Sequence, residues 1–257
     1  MLRYITNIFC IALASFSMFA QNDSLVGQQV QGNVLIVEEP KSDSLKIKET
    51  YGLRLGVDVS KFIRPFVEDD YTGFEVMGDY RLTRKWYLAG EIGAENKRTQ
   101  DNDYLDVTTQ GTYFKAGADW NAYENWYGME NMIYLGFRVG ASSFRQTLHS
   151  YGVYSTDQYW QPQFTNNEEQ EFKGLSAIWG EVIAGLKVEV FNNIYMGVNV
   201  QFKYLVTQDE PSGFENLYIP GYQRTYDSSN FGFGFGYNVS YLIPFFKKDK
   251  KKVTEEQ

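Results

Sequence analysis

The segment from Phe231 to Phe246, FGFGFGYNVSYLIPFF, puts an aromatic or large apolar residue at every second position as far as Tyr241. Glycine, asparagine or serine stands between them. Side chains repeat every two residues only along an extended strand, so one face of this segment is continuously aromatic and the other nearly bare. The pattern recurs. Tyr51, Leu53, Leu55, Val57 and Val59 alternate with Gly52, Arg54, Gly56 and Asp58. Phe74 to Leu82, Trp86 to Glu95, Tyr113 to Trp120, Ile133 to Ser142, Ile178 to Glu189 and Ile194 to Tyr204 repeat it, which makes eight predicted strands.

The connections alternate too. Leu82 to Trp86, Asn121 to Asn131 and Phe191 to Asn193 read as short turns. The segments near 61–71, 97–109, 144–174 and 207–229 are longer and polar. Eight strands with short links at one end and long links at the other describe an all-β, antiparallel, up-and-down barrel.

Such a barrel can turn its apolar face inward, around a ligand, or outward, to lipid. Glycine decides between them. Gly52, Gly56, Gly93, Gly117, Gly136, Gly140, Gly185 and Gly197 share the parity of Arg54, Asp79, Lys115, Arg138 and Lys187. On a solvated surface each glycine would weaken its strand without compensation. In a narrow lumen each makes room for a neighbour such as Tyr113 or Trp179. Tyr51, Tyr80, Trp86, Trp120 and Tyr241 lie on the apolar parity at the turn-side ends of their strands, where an aromatic girdle at the headgroup layer is expected. The apolar face therefore points outward, and the fold is a transmembrane barrel with short periplasmic turns and long extracellular loops. Membrane lipid is its first expected partner.

On these residues, residues 51–246 resemble the small eight-stranded outer-membrane β-barrels of Gram-negative bacteria. The resemblance implies a place in the outer membrane, and membership of a group that includes membrane-stabilising, adhesive, lipid-modifying and accessory assembly proteins. In that group the last strand ends on an aromatic residue near the chain end. Here Phe245-Phe246 is followed by KKDKKKVTEEQ.

The flanks fit export. Residues 1–20 hold Arg3, an apolar run from Ile5 to Phe19 and a small residue at Ala20, as in a signal peptide. Residues 21–50 read as a periplasmic linker and 247–257 as a charged periplasmic tail. The only cysteine, Cys10, lies in the signal, so the mature chain is expected to carry no thiol chemistry. A net charge of −8 without a basic stripe argues against nucleic acid.

No catalytic motif stands out. His149, the single histidine, lies near Ser150 and Asp157 in the longest predicted loop, without a recognisable spacing. Asp101, Asp103 and Asp106 lack the glycine and closing glutamate of a calcium loop, so neither a metal site nor a cofactor is expected. The long loops are rich in rings: Tyr151, Tyr154, Tyr159, Trp160 and Phe164 in one, Phe214, Tyr218, Tyr222 and Tyr226 in the other. These form a candidate surface for other outer-membrane or periplasmic proteins, or for sugars. The leading expectation is a non-enzymatic structural or interaction protein, such as an accessory subunit of an outer-membrane assembly or secretion complex. A lipid-modifying enzyme using His149 and a narrow pore are the alternatives.

Overall fold

A computed structural model describes residues 48–68, 70–101, 105–123, 130–153, 164–213, 215–225 and 229–249. Eight long strands form the wall: β1 (Lys48–Asp58), β2 (Tyr71–Arg81), β3 (Trp86–Asp101), β4 (Leu105–Asn121), β5 (Met132–Val153), β7 (Gln170–Phe191), β8 (Ile194–Gln208) and β11 (Phe231–Asp249). Every neighbouring pair is antiparallel, and β11 pairs back onto β1, so the sheet closes into a ring. Three short strands lie outside the ring order: β6 (Phe164–Asn166) extends β5, while β9 (Tyr218–Ile219) and β10 (Gln223–Arg224) form a small hairpin.

The faces sort as the alternation requires. Phe233, Phe235, Phe202, Phe137, Phe114 and Ile92 are among the large apolar residues that point outward, each more than half exposed. Their strand neighbours Lys203, Arg138 and Lys115 are buried inside. At the turn end Trp86 stands directly across from Trp120, and Tyr80 lies 6.3 Å from Phe245. Going the other way along β3, β4 and β5 the outward positions change from Ile92, Phe114 and Val139 to Asn96, Gln110 and Arg145. That change from apolar to polar marks the upper edge of the belt.

The structure corrects several boundaries. The segments expected as loops at 97–109 and 144–174 are largely strand, because β3, β4, β5 and β7 continue as paired hairpins past the belt. The outward face of these extensions is polar and the inward face mixes Val107, Phe144 and Leu148 with Thr109 and Gln146, so the hydrophobic alternation broke up while the backbone pairing went on. β1 begins at Lys48, paired with Asp249, so the wall reaches into the segments read as linker and tail. The rest of both segments, and residues 1–20 expected as a signal peptide, lie outside the described residues.

Tyr51 also departs from expectation. A register shift between Tyr51 and Gly52 stacks its ring on Phe246 at 5.3 Å and sets it against the guanidinium of Arg81, so it is only 9% exposed. A bulge reverses local parity, which a strict alternation cannot register. Tyr80 and Trp120 are half-buried, and Trp86 and Tyr241 about half exposed.

Candidate functional site

The interior is a column of paired charges. Asp79 on β2 accepts from Arg54 at 2.9 Å and from Lys187 at 2.7 Å. Asp119 pairs with Arg138 at 2.8 Å, and Arg138 reaches Glu91 at 3.5 Å. Lys115 meets Glu91 at 2.6 Å and Glu75 at 3.3 Å, and Glu181 faces Lys203 at 3.7 Å. All of these side chains are at most 10% exposed. An isolated buried charge would cost several kcal/mol (about 3–5 when one partner of a pair is removed), so the alternating signs are what make the column tolerable. Rings close it at the turn end, where Tyr87, Met132, Tyr134 and Ile183 pack together.

The glycines are the spaces these groups occupy. A Cβ at Gly140 would fall 2.3 Å from the Trp179 indole, and one at Gly93 would fall 2.4 Å from the Tyr113 ring. Strand glycine is therefore the complement of an inward ring directly across on the neighbouring strand.

The mouth at the long-connection end is filled by the chain itself. Residues 215–225 fold down as a strap: Tyr218, Ile219 and Tyr222 are 3%, 0% and 1% exposed. The Tyr222 ring meets Trp179 edge-on at 6.1 Å, and its hydroxyl donates to Asn230 O. Lys203 Nζ donates to Gly221 O at 2.7 Å. Gly221 itself sits at φ +82°, where a side chain would be strained and would strike Tyr113. Glu95 is the anchor. Its carboxylate accepts from the Tyr218 hydroxyl at 2.7 Å, the Gly221 amide at 3.0 Å, the Tyr71 hydroxyl at 3.1 Å and the Lys61 ammonium. Burial pushes the Tyr218 hydroxyl well above its ordinary pKa, and the Glu95 carboxylate beside it adds to the shift, so it stays a donor.

This overturns part of the expected interaction surface. Tyr218 and Tyr222, expected on that candidate surface, are part of the plug. Tyr151 is half-buried at the end of β5, and Phe164 lies in β6 across from Val153. Tyr154, Tyr159, Trp160, Phe214 and Tyr226 lie outside the described residues. Lys61 and Tyr71, which complete the Glu95 cluster, escaped sequence reading because Lys61 lies in the irregular β1–β2 connection and Tyr71 is the first residue of β2, before the apolar alternation begins. The apolar LYIPGY at 217–222, inside an otherwise polar segment, was the available clue.

His149 is not in a loop. It is the extra residue of a bulge in β5, between the pairs Val107–Leu148 and Asp106–Ser150. Its Nε2 lies 2.9 Å from the Thr108 hydroxyl and its Nδ1 3.9 Å from Glu169. Ser150 is its neighbour along the strand, and Asp157 lies outside the described residues. Asp106 is held by Arg98 through two hydrogen bonds of 2.6 and 2.9 Å.

A closed antiparallel ring with an apolar exterior and a charged, filled interior is a barrel of the outer-membrane type. The chain belongs to the family described as a domain of unknown function, DUF6048, whose model matches residues 1–248. No curated protein matches the sequence. Among solved structures it is similar to Neisserial surface protein A (NspA), with 10% identity and a TM-score of 0.38 over 75% of this chain and 96% of that one. It is also similar to Ail, the attachment invasion locus protein of Yersinia pestis, with 13% identity and a TM-score of 0.35 over 76% and 95%.

Proposed function

We propose that this protein is a non-enzymatic component of a Gram-negative outer membrane, a sealed barrel that acts by contact with lipid and with other envelope proteins. The observation that carries the reading is the filled lumen: the charge column runs through the barrel, and the 215–225 strap lies over it, tied to Glu95 and Lys203. An eight-stranded ring has an interior just wide enough for its own side chains. A solute would have to displace both the paired charges and the strap. Function then falls to the outer surfaces: the apolar wall, the polar hairpin extensions and the segments at the two chain ends. Purified full-length protein in planar bilayers should give no steady ohmic current. A reproducible open-channel current from wild type would replace this reading with the narrow pore.

One observation favours a catalytic reading as the second choice. The Thr108 hydroxyl, the His149 ring and the Glu169 carboxylate line up as a hydroxyl, a base and an acidic partner. The 3.9 Å between His149 and Glu169 exceeds a hydrogen bond, so the base is not oriented in this conformation. On the contact reading, His149→Ala leaves the membrane lipid composition unchanged. An altered acyl pattern in that variant would move the enzyme to first place.

A further inference from the structure

The wall of the barrel is incomplete on one side. β1 pairs with β2 only from Leu53 to Val57, and with β11 only as far as Asp58–Asn238. Beyond that level β2 continues from Glu75 to Tyr71 and β11 from Tyr237 to Phe231, with no β1 backbone between them. The gap is occupied by the β1–β2 connection, a one-turn helix α1 (Ser60–Ile63) followed by a 3-10 turn at Arg64–Phe66. This wedge is amphipathic. Lys61 points inward to Glu95, while Phe62 packs edge-on against Phe74 outside, and Ile63, Phe66 and Val67 are 51%, 89% and 84% exposed.

The wedge does not seal against β11. A cleft of about 340 Å³ runs between them, with Ile63, Val67, Phe235 and Tyr237 on its outer side and Arg64, Glu68 and Gln223 at its polar end. That volume is in the range of sites that hold small ligands. Phe235 and Tyr237 belong to the outward aromatic face of β11, so the cleft opens within the apolar belt. Its polar end lies where the belt gives way to polar residues. There Arg64 and Lys97 share one carboxylate, Glu68. Arg64 donates its Nε to Glu68 and lays its guanidinium over the Tyr71 ring at 4.2 Å. Among the described residues, neither of its Nη groups meets an acceptor.

We infer that this cleft binds one hydrocarbon chain of a phosphate-bearing membrane amphiphile, drawn laterally from the leaflet at the long-connection end. The chain lies against Ile63, Val67, Phe235 and Tyr237, and the phosphate accepts from the Arg64 Nη groups. Three features agree on this occupant. The opening faces lipid and not water, its wall is apolar where a chain would run, and the Arg64 guanidinium stands at its polar end. Guanidinium suits phosphate because two parallel N–H donors match two oxygens. The inference rests on the membrane placement proposed above.

The test separates the two. Full-length protein is reconstituted into phosphatidylcholine vesicles doped with phosphatidic acid carrying a diazirine in its acyl chain, and labelled peptides are mapped by mass spectrometry. Labelling concentrated on residues 59–68 and 231–237, above that on Leu135 and Phe137 across the barrel, is the expected result. Arg64→Gln should reduce labelling at the cleft about tenfold, the scale of one lost charge-assisted bond. Val67→Trp should block the cleft while sparing the rest of the belt, and because residue 67 is exposed this variant keeps the barrel folded. Uniform labelling around the belt, or a cleft signal unmoved by both variants, would overturn the inference and leave the membrane placement standing. No labelling anywhere on the belt would overturn the placement and the inference together.

Discussion

Glycine is the residue whose meaning changes most between sequence and structure. Gly140 and Gly180 are both strand glycines of this barrel and are indistinguishable by composition. A Cβ at Gly140 meets the Trp179 ring at 2.3 Å, whereas one at Gly180 meets nothing within 4 Å. Gly140→Leu should therefore lower the free energy of unfolding by about 1–3 kcal/mol, the usual cost of overpacking a tight interior. Gly180→Leu adds an apolar side chain to the outer face and should be close to neutral. Urea titration from vesicles would compare them, and a larger cost at Gly180 than at Gly140 would mean that the faces are assigned backwards. Parity told these two apart in principle, since Gly140 follows Val139 on the charged side. It did not name the ring that fills the space, because Trp179 comes from a neighbouring strand 39 positions away.

At the scale of elements, the legible parts were those under a periodic constraint. The eight long strands, their order and their inward and outward faces follow from alternation, since a wall between lipid and a packed lumen cannot tolerate a misplaced parity. Four features obey no such rule and escape the alternation. The His149 bulge and the Tyr51 register shift break parity by one residue. The 215–225 strap goes inward because Glu95, Lys203 and the open space at Gly232 receive it, and those partners come from three strands. The wedge at 60–68 is too short to carry a period. Its hold on the wall is electrostatic and sensitive to acid. Burial pushes the Glu68 carboxyl up, but hydrogen bonds from Arg64 and Lys97 outweigh that and hold it below its ordinary value of 4.5. A carboxylate whose folded pKa is lowered contributes stability above the unfolded value and loses it as pH falls through the folded one. Amide exchange at residues 59–68, corrected for the intrinsic rate, should stay slow near neutrality and rise as the pH drops below 4.5. The step should be missing in Glu68→Gln. An identical step in that variant would assign the loosening to another group.

For the molecule as a whole, the two ends of the barrel differ in kind. One end has tight turns, such as the two-residue link at Asn192–Asn193, where Asn193 takes φ +63°. The other carries the hairpin extensions, the strap and the wedge. On the outer-membrane reading the second end faces the exterior. An epitope inserted after Ser212, an exposed position beyond β8, should be labelled by antibody on intact cells, and one inserted after Asn192 only after the membrane is opened. The reverse pattern would invert the orientation. Which proteins or glycans meet that outer end was not legible in the sequence, since two of the rings proposed to meet them, Tyr218 and Tyr222, are spent inside.

The ring also dictates an order of events. The seam that closes it runs from Lys48–Asp249 to Asp58–Asn238 and joins strands separated by nearly the whole described chain. Every other wall contact can form between neighbours along the sequence as they meet, but this one must wait for the last strand. Until then β1 and β8 each present an unpaired edge, a template on which another chain can add. Nascent copies are therefore most vulnerable to joining one another in the interval before β11 docks, and whatever shortens that interval guards the yield of folded protein.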